Sequence, residues 1–194
     1  NVEKLFEHLK TYRYERENKV RFGITVGNNG NKGIHMRSGK LSKVEEFNVN
    51  VDPIIFNEKF ADRNDKINFN IRLALVPSHQ WIQVAKFIDL CYSSRSFIIT
   101  IDPTKLQPGV YRGSVKAYDT EASAEKGIIF EVPITVVNPH EVDYLRCEYT
   151  PPSVVICKPN TIIRDFIIVP LNATYAVLEM ISADSKDKVG GKFF

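Results

Sequence analysis

The sequence predicts an all-β fold, an antiparallel sandwich preceded by one helix. Three observations predict it. From Val20 onward the chain breaks into short runs rich in β-branched and aromatic residues, separated by Gly, Pro, Asn and Asp. Several runs alternate apolar and polar residues, as in "FNVNV" (47–51) and "INFNIRLAL" (67–75), which is the pattern of strands with one face in a core and the other in water. No helical periodicity separates the runs, which favours a sandwich over a βαβ arrangement.

The elements follow in order. Residues 2–12, "VEKLFEHLKTY", place Val2, Leu5, Phe6 and Leu9 at helical spacing with Glu3, Lys4, Glu7 and Lys10 opposite, so they read as an amphipathic helix. "YRYERENK" (12–19) mixes charge signs and reads as a solvated helix end or linker. The strands expected are 21–26, 33–36, 44–51, 68–76, 82–84, 96–101, 109–118 and 127–137.

"VGNNGNKG" (26–33) carries three evenly spaced glycines after an apolar run. A phosphate cradle needs converging N–H groups and a helix after the loop. Here "IHMRSG" follows, with no helical spacing and no Gly-Lys-Ser/Thr ending. Gly27, Gly30, Gly33 and Asn28, Asn29 and Asn31 therefore read as the positive-φ residues of a tight hairpin reversal.

In "IDPTKLQPGVYRGSVKAYD" (101–119), Asp102-Pro103 ends a strand, Leu106 plugs the core from the loop and Pro108-Gly109 turns the chain into the next strand. Tyr111, Gly113, Val115 and Ala117 then share one face, and Arg112, Ser114, Lys116 and Tyr118 the other. This shape is similar to the penultimate strand of fibronectin type III-like modules, so the sandwich is expected to be of the fibronectin or immunoglobulin kind. Asn138-Pro139 marks a boundary. Beyond it, "PSVVICKPNTIIRDFIIVPLNATYAVLEMIS" is expected to hold two or three more strands, in a unit too short for a core of its own.

Composition narrows the function. Hydrophobic residues are 43% and charged residues 25%, the balance of an ordinary soluble globular protein. The net charge of +3 comes from basic and acidic residues mixed along the chain, which argues against nucleic acid as a partner. No apolar run reaches the roughly 18 residues of a membrane helix and no signal peptide is visible, so no membrane partner is expected. Cys91, Cys147 and Cys157 are few and widely spaced, which fits a reducing compartment. The start without methionine and the end at "GGKFF", within what reads as a strand, make an excised fragment the expectation.

Catalytic signatures are missing. His8, His35, His79 and His140 are far apart, without H-E-x-x-H or C-x-x-C, so no metal site and no cofactor are expected. No serine stands in a G-x-S-x-G context. Cys91, in "DLCYSS", reads as a packing thiol, with a cysteine hydrolase using a remote histidine as the enzymatic alternative. Trp81 reads as a core or inter-domain anchor. The residues alone give a scaffold or binding module with no catalytic residues, the alternative to a structural segment being a free-standing immunoglobulin-like binding module.

Five phrases, in this order, carry a resemblance: "GITVGNNGNKGIHMR", "LALVPSHQWIQVAKFIDL", "FIITIDPTKLQPGVYRGSVKAYD", "FEVPITVV" and "KPNTIIRDFIIVPLNATYAVLEM". Together they resemble the tripeptidyl-peptidase II family, in the region just after its subtilisin-like catalytic domain. The resemblance implies a large cytosolic serine peptidase that takes tripeptides from free N-termini, downstream of the proteasome, and assembles into very large homo-oligomers. It further implies that residues 1–19 are the last catalytic-domain helix and a linker. Residues 20–138 would be a β-sandwich, and 139–194 a linker and the start of a second β domain. The family's catalytic Asp, His and Ser lie upstream and match no position here. The implied partners are the catalytic domain of the same chain, further copies of the parent and the parent's peptide substrates.

Overall fold

The computed structural model describes residues 2–3, 5–6, 20–37, 41–55, 63–121, 127–151, 155–156 and 158–179. Its strands are β1 (Val20–Val26), β2 (Ile34–Met36), β3 (Glu45–Ile55), β4 (Asn70–Pro77), β5 (Ile82–Val84), β6 (Phe87–Cys91), β7 (Arg95–Ile101), β8 (Gly109–Asp119) and β9 (Phe130–Asn138), with a short helix α1 (Arg63–Asn68) before β4. One sheet has the order β1-β3-β7-β5 and the other β2-β9-β8-β4-β6. All neighbours are antiparallel except β2 and β9, which run parallel. The fold is the all-β sandwich that the alternation predicts.

The core is built by period-2 alternation. Val49, Val51, Phe97, Ile99 and Ile101 point inward from one sheet and Leu73, Leu75, Val115, Ala117, Val132, Ile134 and Val136 from the other, all buried in one cluster. Truncating such a fully buried aliphatic side chain costs about 2–5 kcal/mol, so a few of these residues carry much of the domain's margin of stability.

Loops fix the order of the strands. After β7 the Asp102 carboxylate accepts hydrogen bonds from the Thr104 N–H (3.1 Å) and hydroxyl (2.5 Å). Leu106 packs against the core as expected. The Tyr111 hydroxyl donates to the Gln107 carbonyl at 2.9 Å, the tyrosine corner of immunoglobulin-type sandwiches. Gly113 lies beneath the crossover from β4 to β5: a Cβ there would stand 2.7 Å from Ile82 Cδ1 and 3.0 Å from Trp81 Cη2. Ser78 ties the same crossover to β8, donating its N–H to the Ser114 carbonyl and accepting the Ser114 N–H at its hydroxyl, both at 2.9 Å.

The structure departs from the sequence reading in four places. The loop after β1 is not a hairpin: β1 pairs with β3 and β2 with β9, so residues 27–33 carry the chain from one sheet to the other. Gly27 and Gly30 do take positive φ (61° and 67°), but Asn28, Asn29 and Asn31 do not, and Gly33 serves close packing, since a Cβ there would stand 2.8 Å from the Pro133 carbonyl oxygen. β6 forms where no strand was expected, and Asn68, expected to open the strand 68–76, belongs to α1. In the described part of 141–179 no strand forms, only the isolated bridges His140 to Ile167 and Asp143 to Glu148. Of the N-terminal helix, Val2, Glu3, Leu5 and Phe6 are helical and the remainder lies outside the described residues.

Two substitutions test this packing by urea unfolding. Gly113→Val forces atoms into the Trp81 and Ile82 contacts and is expected to lower stability by about 1–3 kcal/mol, and Tyr111→Phe, which loses the corner hydrogen bond alone, by about 1 kcal/mol. An unchanged midpoint for Gly113→Val would contradict the close approach.

Candidate functional site

Among the described residues no cysteine has a histidine base beside it. Cys91, at the end of β6, is half-buried, with the Ser93 hydroxyl at 3.4 Å from its sulfur and Arg95 Nη2 at 3.9 Å. The hydrogen bond with Ser93, and after it that with Arg95, holds the thiol below its ordinary value. Its partners include no histidine, so the proton acceptor that a cysteine hydrolase requires is absent from its hydrogen-bond shell. Cys147 is exposed, and Cys157 and His8 lie outside the described residues.

The other histidines are placed apart. His35 is exposed on β2. His79 stacks on Trp81 with ring centroids 5.5 Å apart and has its Nδ1 at 2.8 Å from the Ser78 hydroxyl. Trp81 is thus the anchor that the sequence suggested, half-buried against the core beside β8. Among the described residues no group of three His, Cys, Asp or Glu side chains could hold a metal ion.

His140 builds a polar cluster just past β9. Its main chain bridges to the later segment: the His140 N–H donates to the Phe166 carbonyl (2.7 Å) and the Ile168 N–H to the His140 carbonyl (2.9 Å). The imidazole Nε2 lies 3.1 Å from Asp165 Oδ1, the Tyr149 hydroxyl donates to Asp165 Oδ2 at 2.8 Å, and the rings of His140 and Tyr149 are 5.0 Å apart. Burial, then the hydrogen bond to Asp165 and its charge, push the Tyr149 phenol up to about 12. Three chain segments are clasped at this junction. The sequence reading missed it because 140, 149 and 165 are separated by loops with no periodicity.

Beyond His140 the chain exposes apolar side chains: Leu145 is 97% exposed, Leu171 94%, and Tyr175 and Val177 83% each. Ile156, Ile162, Val169 and Leu178 are also exposed. Apolar exposure of this extent exceeds what a self-contained soluble module usually shows.

Two family models match. "Tripeptidyl-peptidase II, first Ig-like domain" covers residues 20–137, more than half of the chain, and "TPPII, galactose-binding domain-like" covers residues 157–194. The chain belongs to the tripeptidyl-peptidase II family. It is similar to tripeptidyl-peptidase 2 of Drosophila melanogaster, 46% identical over 202 residues that take in 100% of this chain and 14% of that protein. The Arabidopsis thaliana protein of the same name is 28% identical, with 92% of this chain and 13% of its own length covered. A crystal structure of tripeptidyl peptidase 2 superposes with a TM-score of 0.66 at 48% identity, covering 74% of this chain and 12% of that one. The chain therefore spans about one-seventh of the length of the curated relatives it matches. It is part of a tripeptidyl-peptidase by sequence and by fold.

The clasp has a pH signature. The folded Tyr149 phenol keeps its proton to about 12, while an unfolded tyrosine releases it near 10. Its contribution to stability is therefore complete below about pH 10 and is lost as pH rises from about 10 to about 12. In a phenolate absorbance titration, the difference between the parent chain and Tyr149→Phe is expected to titrate near 12. Asp165→Asn removes the charge and the carboxylate acceptor and is expected to lower that value, leaving only the part due to burial. A midpoint near 10 in the parent chain would contradict the clasp.

Proposed function

We propose that this chain is a non-catalytic structural and assembly segment of a giant cytosolic serine exopeptidase of the subtilisin-like class, which removes tripeptides from the free N-termini of peptides. The observation that carries the proposal is the apolar ribbon beyond His140, joined to a sandwich whose own core is already closed. Water-facing leucines, isoleucines and valines in this number are a poor match to a free-standing module and a good match to a segment packed against other polypeptide. Family membership supports the parent's class. The lack of a cysteine and histidine pair among the described residues supports a supporting role for this part of it.

On this reading residues 1–19 are the end of the catalytic domain and a linker, 20–138 the first sandwich after it, and 139–194 a linker and the start of the next β domain. The sandwich braces the catalytic domain of its own chain, and the assembly is homo-oligomeric. The corner at 27–33 follows directly on β1, the strand that leads out of the catalytic domain on this reading.

An antibody raised against this chain, used to capture its parent from extract, tests the proposal. A serine-hydrolase probe is expected to label a captured polypeptide several times longer than 194 residues, while the 194-residue chain alone takes no label and releases no tripeptide. Labelling of the chain alone, or an intact parent without label, overturns it. Leu171→Asp and Val177→Asp are expected to change the chain's own stability by less than about 0.5 kcal/mol and to lower the stability of the parent, where the rest of the second β domain covers them, read by thermal unfolding.

A further inference from the structure

The sandwich is open along one side, at β7. β3 pairs with β7 along all of Arg95–Ile101. β5 pairs with it only at Ile82↔Ile101, Gln83↔Thr100 and Val84↔Ile99. The chain then leaves: the Leu75 N–H donates to the Lys86 carbonyl at 2.9 Å, and β6 continues on β4 in the opposite sheet. Among the described residues no strand pairs with the β5 side of β7 before Ile99.

The direction of the unpaired groups follows from alternation. The Asp102 N–H donates to the Trp81 carbonyl at 3.0 Å, toward the β5 side. Main-chain groups alternate sides along a strand, so those of Thr100, Ile98 and Ser96 face that side too. Thr100 meets Gln83 there, and Ser96 meets an open surface groove of about 770 Å³. Val84, Phe87, Ile88, Phe97 and Ile98 line it. Phe87 and Ile98 are more than half exposed, one on each sheet bordering the groove. At its far end Arg95 touches the Cys91 sulfur and has no carboxylate of the described residues at ion-pair distance. Asp89, also on the lining, is held bidentately by Arg72 at 2.6 and 3.0 Å.

We infer that this edge binds an extended segment of another polypeptide, laid antiparallel to β7 in line with β5 and with its carboxyl end at Arg95. Only a peptide backbone offers donors and acceptors at the strand repeat of about 3.3 Å per residue that Ser96 and Ile98 present. Apolar side chains at alternate positions fill the space between the sheets, against Phe97 and Ile88. An antiparallel strand continuing β5 runs toward Arg95, which places its terminal carboxylate, or an acidic residue, beside a guanidinium with no carboxylate of the described residues at ion-pair distance, Asp89 acting on it only from farther off. The inference stands apart from the peptidase reading, because a labelled parent with no binding at this edge would remove it alone.

The probe is an N-acetylated Thr-Val-Thr-Val-Thr peptide with a free carboxyl end, titrated into the 194-residue chain and read by amide shifts of Ser96 and Ile98. N-methylation of the peptide at the positions facing β7 is expected to weaken binding about fivefold to tenfold, and at the intervening positions less than about twofold. Amidating the carboxyl end, or Arg95→Gln, is expected to weaken it about threefold to fivefold. Ser96→Pro removes an N–H that faces the groove rather than β3 and is expected to abolish binding. The N-methylated peptides decide the matter without altering the protein. No binding at millimolar peptide, equal loss at both sets of positions, or a dimer of this chain that holds the edge and excludes the peptide overturns the inference.

Discussion

The close approach of residues 78–82 to the bare backbone of Gly113 is the constraint on which the rest of the structure depends. Without a side chain at that position, Trp81 and Ile82 lie directly on β8 and Ser78 bonds to both main-chain groups of Ser114. The crossover can then pass over the end of the sandwich and deliver β5 to β7 in the other sheet. Any larger residue would lift the crossover off the sheet, and with it the Trp81 carbonyl that receives the Asp102 N–H. A packing contact thus decides the topology. It also leaves β5 only three residues long, so one side of the sandwich stays open.

A second consequence is a division of labour along the chain. Residues 20–138 close their own core, with alternating strands, a tyrosine corner and a sheet-switching corner at Gly27 and Gly30. Residues 140–179 close nothing of their own among those described. They are attached through the main chain of His140 and the Asp165 carboxylate, and turn apolar side chains to the solvent. The first part is rigid by packing and the second leaves its apolar side chains uncovered among the described residues. That contrast suits a segment whose work is contact rather than chemistry, and the thiol of Cys91, polarised by Ser93 and Arg95 without a base, is consistent with it.

Much of the sandwich was legible because alternation is local. Phe47 to Val51 and Tyr111 to Ala117 declare their buried faces by residue type alone, and Leu106 and Trp81 were assigned their packing roles from their surroundings in the sequence. β6 was not legible: five residues between turns, with an aspartate and a cysteine among them, give too short a pattern to separate from a loop. The 27–33 loop shows the other limit. Gly and Asn specify that the chain reverses, but not which strands it joins, since pairing is set by contacts distant in sequence. For the same reason the His140, Tyr149 and Asp165 clasp and the open edge of β7 had no local signal. The ordered phrases gave the family, which none of these patterns could.

Hydrogen exchange on residues 158–179, compared between the 194-residue chain and its full-length parent, reads whether other polypeptide covers this segment. The account predicts fast exchange in the chain alone and strong protection in the parent, with β3, β7 and β8 slow in both. Equal, fast exchange of the ribbon in the parent would mean that nothing covers it, and would contradict a segment built for contact.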